Sequence, residues 1–362
     1  MEKVLVLNPG STSTKIAVYE GEQQVFLESI SHSTEELKQF ASVGDQYDFR
    51  KELVLKTLAE HGYQAEDFAC VVGRGGVLPP LQAGAYEVNE DMVWQLRYAP
   101  VQEHASNLGG LIAYAIAHPI GKPAYIYDAV AVDEMPKMNK LTGIKGLERN
   151  GVGHNLNTRA TAIRYAKEHG KRYDDISVVV AHLGGGFTVN LQYKGRIIDV
   201  LNDETGCFTP ERAGALPMAP FVKKIFSEHM DEKSVKKMLK SQGGLTSHLG
   251  TNDSREVEKM VDSGDEYAKM VFEAMAMNVA CNIAREFPVV NGDVEAILLT
   301  GGIAHSDRFT GLIKERLAYL NCPVIVYAGE NEMQSLAMGA LRVLHGEETP
   351  HVYHKIENGN FA

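Results

Sequence analysis

Cysteine is scarce in this chain of 362 residues: the four, Cys70, Cys207, Cys281 and Cys322, are widely scattered, with no CxxC pair and no metal-like spacing to histidine. That excludes a disulfide framework and a cysteine-rich metal site, and it fits a reducing cytoplasm. Long apolar runs are missing as well. None approaches the roughly 18 residues of a membrane span, and Met1-Glu2-Lys3 leads directly into a strand pattern, so neither a secretory leader nor a membrane segment is expected. Positive charge is short, with 36 Lys and Arg against 47 Asp and Glu and a formal net charge of −11. This argues against a nucleic-acid partner and a broad anionic-lipid surface, so any phosphate site must be locally basic. No low-complexity linker divides the chain. Its 44% apolar and 23% charged residues are those of an ordinary globular protein, long enough for two domains.

What is present is a repeated template. Val4-Leu5-Val6-Leu7-Asn8-Pro9-Gly10-Ser11-Thr12-Ser13-Thr14-Lys15 and Val178-Val179-Val180-Ala181-His182-Leu183-Gly184-Gly185-Gly186-Phe187-Thr188 each give an apolar strand, a polar residue, a Gly-containing turn and a second strand. Asn8 corresponds to His182, Gly10 to Gly184, Thr14 to Thr188 and Gly21 to Gly195, all at an offset of 174. A second echo relates Cys70-Val71-Val72, which runs into Arg74-Gly75-Gly76, to the strand entering Thr300-Gly301-Gly302. Duplicated strand-turn-strand units with small residues at the turn suit a polyphosphate clamp, because they present backbone N–H groups to an anion.

The predicted organisation is α/β. Strands fall near 3–7, 13–19, 24–30, 70–72 and 124–127, with helices near 34–42, 50–62 and 105–117. The second part repeats the grammar, with strands near 177–182, 186–193, 196–200, 295–299 and 323–327 and helices near 254–262, 265–286, 308–320 and 332–345. The expected domains are 1–155, joined by the last helix at 332–345, and 156–331.

Gly10 to Lys15 lacks the glycine spacing of a Walker motif and precedes a strand, so it is not a P-loop. It reads as a hairpin turn whose amides and hydroxyls, at Gly10, Ser11, Thr12 and Ser13, meet phosphate, with Asn8 and Lys15 as side-chain contacts; the plain alternative is a polar turn. Three successive glycines, Gly184, Gly185 and Gly186, mean that something approaches the backbone closely. His182 can bond a transferring phosphoryl group or serve as a satisfied core histidine. Gly301, Gly302 and Ile303 form a turn suited to the flat face of a nucleoside, or an ordinary strand-to-helix connection. Arg74 and Arg212 can stabilise the equatorial oxygens of a phosphoryl group in flight, or form surface ion pairs, Arg212 with Glu211 for example. Asp128 ends an apolar strand where open α/β sheets place ligands, and with Glu332 it can hold Mg²⁺; helix-terminus roles are the alternatives for both.

With these segments, Glu103-His104-Ala105-Ser106-Asn107 and Pro210-Glu211-Arg212 in order, the chain resembles the acetate and sugar kinase, Hsp70 and actin superfamily. Within it the chain is similar to the acetate kinase family, most closely its butyrate kinase branch. The resemblance implies two duplicated actin-like (ribonuclease H-like) domains with a nucleotide cleft between them. It also implies reversible phosphoryl transfer between ATP and a short-chain carboxylate such as butyrate or isobutyrate, giving acyl phosphate and ADP with Mg²⁺, and self-association into a homo-oligomer. Asn8 would contact phosphate, Arg74 and Arg212 would hold the carboxylate and the transition state, and Asp128 and Glu332 would serve the metal. His182 matches a family histidine that contacts the phosphoryl group, with His104 a further candidate.

The chain departs from the acetate kinase pattern at Val152-Gly153-His154-Asn155-Leu156-Asn157-Thr158, where a second histidine is missing and His154 is the substrate-site candidate. It also has Gly75 and Gly76 where acetate kinases carry bulkier residues after the arginine, which would leave room for a longer acyl tail beside Gly76. The rival readings are an acetate or propionate kinase, a sugar kinase, and a non-catalytic ATP-dependent clamp of the actin or Hsp70 type.

Overall fold

The computed structural model describes residues 1–355. It divides into two compact units, Met1–Asp133 with the chain from Asn331 onward, and Glu134–Glu330. The segment 134–155, expected in the first domain, is tied to the second unit. Glu134 accepts from Arg196 and from the Ile197 amide, Asn139 donates to the Ile198 carbonyl, and Arg149 pairs with Asp199.

The first unit holds β1 (Lys3–Pro9), β2 (Ser13–Glu20), β3 (Gln23–Ser31), β4 (Cys70–Arg74), β5 (Ala85–Glu87), β6 (Ala124–Tyr127) and, from the end of the chain, β12 (His351–Val352). The second holds β7 (Ser177–Leu183), β8 (Phe187–Tyr193), β9 (Arg196–Leu201), β10 (Ala296–Gly301) and β11 (Val324–Ala328). Five strands follow the same order in both sheets, β6-β4-β1-β2-β3 and β11-β10-β7-β8-β9, with β5 and β12 added at one edge of the first. In each the first three are parallel and the last two antiparallel.

Register makes the duplication measurable and corrects one part of it. Val4 pairs with Cys70 as Val178 pairs with Ala296, so β1 maps to β7 at the expected offset of 174, and Arg74-Gly75-Gly76 maps onto Thr300-Gly301-Gly302. The return strands do not keep that offset. Asn8 faces Lys15 whereas His182 faces Thr188, so the second turn is one residue shorter and β2 maps to β8 at 173. Thr14 is therefore matched by Phe187 and Gly21 by Lys194, rather than by Thr188 and Gly195. Lys194 and Gly195 both take positive φ, 48° and 84°, in the two-residue turn between β8 and β9.

β7 is buried at every position, as a Val-rich central strand covered on both faces should be. Val178 and Val180 pack with Ala162 and Tyr165 of the helix Asn155–Glu168, while Val179 and Ala181 pack with Val271, Phe272 and Met275 of the helix Glu266–Glu286. In the first unit the helix Glu332–Leu344 packs on β1, β4 and β6 as Asn155–Glu168 does on β7 and β10. The equivalence reaches side chains. Arg342 lies over the Tyr127 ring at 5.2 Å, and Arg164 over the ring of Tyr327, the residue in matching register, at 4.5 Å.

The pattern that predicts a helix over 34–42 yields only Thr34–Leu37, begun by a Ser33–Glu36 capping box, because its positions bury nothing. Helix Asn155–Glu168 has no such pattern in the sequence, since its inward residues mix polar with apolar: Asn155, Asn157, Thr158, Arg159 and Thr161 are buried beside Leu156, Ala162, Tyr165 and Ala166.

Candidate functional site

In the first unit Asn8 stands at the end of β1, and the chain turns through Gly10 to Thr12 into β2. Every carbonyl of that turn is engaged from within. Arg50 donates to Gly10 O at 2.7 Å, Ser11 O at 3.0 Å and Ser13 O at 3.1 Å, the His32 amide donates to Thr12 O at 2.9 Å, and Gly10 N donates to Ser13 O at 2.7 Å. Among the described residues the Ser11 and Thr12 amides donate to no protein group, and both side chains are exposed. A turn with acceptors inward and donors outward is an anion nest. Lys15 is exposed beside it on β2, across from Asn8.

Asn331 caps the helix Glu332–Leu344 by accepting from the Gln334 amide at 3.0 Å, a contribution of about 1 kcal/mol. The cap fixes the helix start beside β1 and β4. There the Glu332 carboxylate accepts from Asn8 Nδ2 at 2.7 Å and pairs with the Arg74 guanidinium at the end of β4. Desolvation would raise the Glu332 pKa, but Arg74, the Asn8 and Arg74 hydrogen bonds and the Lys15 charge together carry it below the ordinary carboxylate value. Asn8, Arg74 and Glu332 thus form one group. His104, held at Nδ1 by Ser106 Oγ at 2.7 Å, has its pKa lowered by desolvation and then by the Arg74 charge.

Asp128, 3% exposed, follows β6 with a positive φ of 41°, a strained conformation for a residue other than glycine. Its Oδ1 accepts from Gly84 N at 2.7 Å and its own amide donates to Gly84 O at 3.1 Å, so Asp128 is tied to Gly84 by both side chain and backbone. No helix begins there for it to cap. The two glycines after Arg74 answer a packing need. A Cβ at Gly75 would lie 2.5 Å from the Ala129 Cβ and one at Gly76 2.4 Å from Asn107 Oδ1, so Ala129 and Asn107 take up the room that the sequence suggests for an acyl tail.

The second unit repeats the arrangement with other side chains. Buried His182, matching Asn8, accepts at Nδ1 from Asn157 Nδ2 at 2.8 Å, which leaves its proton on Nε2, 3.4 Å from the Glu330 carboxylate. His154, at the start of the covering helix as Glu332 is in the first unit, stacks on His182 with centroids 4.1 Å apart and bonds Thr188 Oγ1 through Nδ1 at 2.8 Å. The Gly184–Gly186 turn is tied down by Thr209 Oγ1, which donates to Gly185 O at 2.7 Å. Arg212 lies directly on it: a Cβ at Gly186 would sit 2.4 Å from the guanidinium carbon. That close approach is what the third glycine permits. Arg212 pairs with Asp203, whereas Glu211 accepts from Asn252, so the ion pair offered as the plain alternative for Arg212 forms with Asp203 and not with Glu211.

Gly301 ends β10 at φ 92°, where a side chain would strike the Leu183 backbone at 2.5 Å. Gly302 is exposed with open space around its Cα, and Ile303 follows it into a short helical turn.

Arg50, His32, Asn157, Thr188, Thr209 and Asp203 carry the positioning bonds and were not legible as site residues. Arg50 did leave a signal, since 50, 54, 57 and 58 are the buried stripe of the helix Tyr47–Glu60 and a charge at its first position is anomalous. His32 bonds Thr14 Oγ1 at 2.9 Å, and burial, then the Arg50 charge, lowers its pKa to about 4, with Glu36 opposing. The fold therefore holds His32 neutral, and its contribution is complete above the unfolded value near 6.5 and lost as pH falls toward about 4. His32→Gln is expected to flatten the decline of thermal stability across that window, by up to about 3 kcal/mol. Parallel melting curves for wild type and variant would count against this neutral role.

Paired half-sheets of this order, each with a glycine turn after its first strand, define the acetate and sugar kinase, Hsp70 and actin superfamily. The family model described as the acetokinase family matches residues 98–320. A curated protein named "Probable butyrate kinase 2" from Caldanaerobacter subterraneus subsp. tengcongensis is 44% identical over 354 residues, covering 98% of this chain and 100% of that protein. The chain belongs to the acetokinase family, whose members are ATP-dependent carboxylate kinases. The crystal structure of Porphyromonas gingivalis acetate kinase superposes with a TM-score of 0.80 at 17% identity, over 95% of this chain and 100% of that one. A propionate kinase from Francisella tularensis subsp. tularensis SCHU S4 gives 0.73 at 21% identity, over 94% and 99%. At those identities the two structures establish the shared fold.

Proposed function

We propose that this chain transfers the γ-phosphoryl group of ATP reversibly to a short-chain fatty acid, butyrate first among them, giving acyl phosphate and ADP. The observation that carries the reading is the arrangement found in each unit, a glycine turn with its carbonyls tied inward and an arginine held by a carboxylate: Arg74 by Glu332 and Arg212 by Asp203. The 44% identity to a protein named as a butyrate kinase supports the acid.

A carboxylic acid with a pKa near about 4 is ionised at neutral pH, so its oxygen attacks phosphorus without a general base. Asp128 is therefore not needed to remove a proton. In this reading Arg74 holds the carboxylate, with His104 and His154 as further candidates to line the acid's site. The Ser11 and Thr12 amides, Lys15 and the Gly184–Gly186 turn hold phosphates. Arg212 and the His182 Nε2–H neutralise charge on the phosphoryl group in flight. Gly301, Gly302 and Ile303 are assigned to the nucleoside.

Mg²⁺ is assigned in this reading to one of its two expected carboxylates. A cation that arrives with phosphates takes only one or two protein carboxylates. Asp128 is the fixed carboxylate that would meet it, and the ion would neutralise phosphate charge. Glu332 has both oxygens engaged by Asn8 and Arg74, which assigns it to positioning them.

One methylene is worth only about 1–3 kcal/mol of discrimination, so overlapping use of propionate, isobutyrate and valerate is expected. The test is hydroxamate trapping of acyl phosphate across acetate, propionate, butyrate, isobutyrate and valerate, with glucose as a sugar acceptor. The highest kcat/KM is expected for a four-carbon acid. A maximum at acetate would replace the acid, and ATP hydrolysis indifferent to every acceptor would favour the clamp.

A further inference from the structure

We propose that Arg50 is a positioning residue for phosphate binding, acting from behind the Gly10–Ser13 turn; the proposal rests on the phosphotransfer reading above and extends it to a residue outside the site. Arg50 is 1% exposed, and its guanidinium donates six hydrogen bonds, all to neutral acceptors: the carbonyls of Gly10, Ser11 and Ser13, Thr14 Oγ1, and Gln46 Oε1 twice. No carboxylate lies within ion-pair distance of it among the described residues.

Two consequences follow from that geometry. First, Arg50 holds three carbonyl oxygens of the turn that would repel a phosphate, those of Gly10 and Ser11 by its own bonds and that of Ser13 together with the Gly10 amide, and with these carbonyls held the Ser11 and Thr12 amides donate to no protein group among the described residues. Second, a buried cation without a counter-ion keeps its field, so the turn presents a positive potential that its own uncharged residues lack. A buried arginine serving packing alone would ordinarily be matched by an acid, because an unpaired buried charge is costly. The acceptors here are the turn itself, so the cost is tied to the turn's shape and the missing counter-ion is left to the ligand.

Two variants separate positioning from simple support. Arg50→Lys keeps the charge but cannot reach five acceptors from one planar fork. Gln46→Glu keeps Arg50 and its bonds while placing a carboxylate against it, so the fold holds and the field is cancelled. Both are expected to raise the KM for ATP, and for ADP in the reverse direction, by about tenfold or more, with the KM for the carboxylate changed less than twofold. Titration with ATP alone should show the same loss of affinity.

If both variants keep wild-type affinity for ATP, whatever their melting temperatures, Arg50 is structural only and the proposal is overturned. An equal rise in both KM values would overturn it too, because the effect would not be specific to phosphate. Wild type that binds ATP but phosphorylates no acid overturns the functional reading and leaves the ATP titration as the judge of Arg50. Wild type that does not bind ATP overturns both.

Discussion

Arg212→Ala is expected to lower kcat for acyl phosphate formation by about a thousandfold or more, while the affinity for ATP shifts by less than about threefold. A positioned arginine on a transferring phosphoryl group is worth roughly 10³–10⁵ in rate, because the charge it meets is larger in the transition state than in the bound nucleotide. The structure supplies the positioning: the guanidinium lies on Gly186, its backbone amide donates to Thr209 Oγ1 at 3.1 Å, and its side chain is held by Asp203. That side chain is 28% exposed, so its removal should leave the fold intact and a loss of turnover can be read as lost catalysis. Asp203→Asn should cost less, since it loosens the guanidinium without removing it. Steady-state kinetics with calorimetric ATP titration checks both variants, and near-normal turnover in Arg212→Ala would remove the residue from the reaction.

Gly73→Ala is expected to destabilise the first unit by about 3 kcal/mol or more, at the top of the overpacking range. A Cβ at Gly73 would lie 2.2 Å from the Gly109 carbonyl oxygen, and one at Gly109 would lie 2.4 Å from the Arg74 carbonyl oxygen. Strand β4 and the helix Asn107–Ala117 therefore meet backbone to backbone, and neither neighbour is a flexible side chain that could move aside. Because Arg74 is the next residue, the same contact sets where its guanidinium begins. Protein that does form should show a lowered melting temperature and a raised KM for the carboxylate. Unchanged melting would mean that the strand–helix contact tolerates a spacing the structure does not show.

What the amino-acid order revealed was periodic or local. The strand-turn-strand template, the Arg74-Gly75-Gly76 echo and the apolar strands were legible because burial on both faces of a central strand demands a continuous apolar run. The one-residue shortening of the second turn was not, since a constant offset in sequence says nothing about which residues pair across a hairpin. The helix Asn155–Glu168 escaped because polar residues that form buried bonds, as Asn157 does with His182, interrupt its apolar stripe. The sequence offers Glu332 as a candidate metal ligand, but its engagement with Asn8 and Arg74 was not legible, because partners 324 and 258 residues away leave no local trace. Gly75 and Gly76 suggested space in the sequence, and the structure fills that space with Ala129 and Asn107.

The matched pairs Asn8–Glu332 and His182–His154 show what duplication has preserved and what it has changed. In both units the first turn of the covering helix meets the residue that ends the first strand. One pair joins an amide to a carboxylate, and through it to Arg74; the other stacks two imidazoles with centroids 4.1 Å apart. Matching frames thus carry unlike side chains.

The most direct test of phosphoryl transfer to a carboxylate is phosphorus-31 NMR of the full-length protein with ATP, Mg²⁺ and butyrate. The account predicts an acyl phosphate resonance that grows in step with ADP and disappears when butyrate is omitted. Loss of the γ-phosphate resonance to inorganic phosphate alone, at the same rate with and without butyrate, would contradict it.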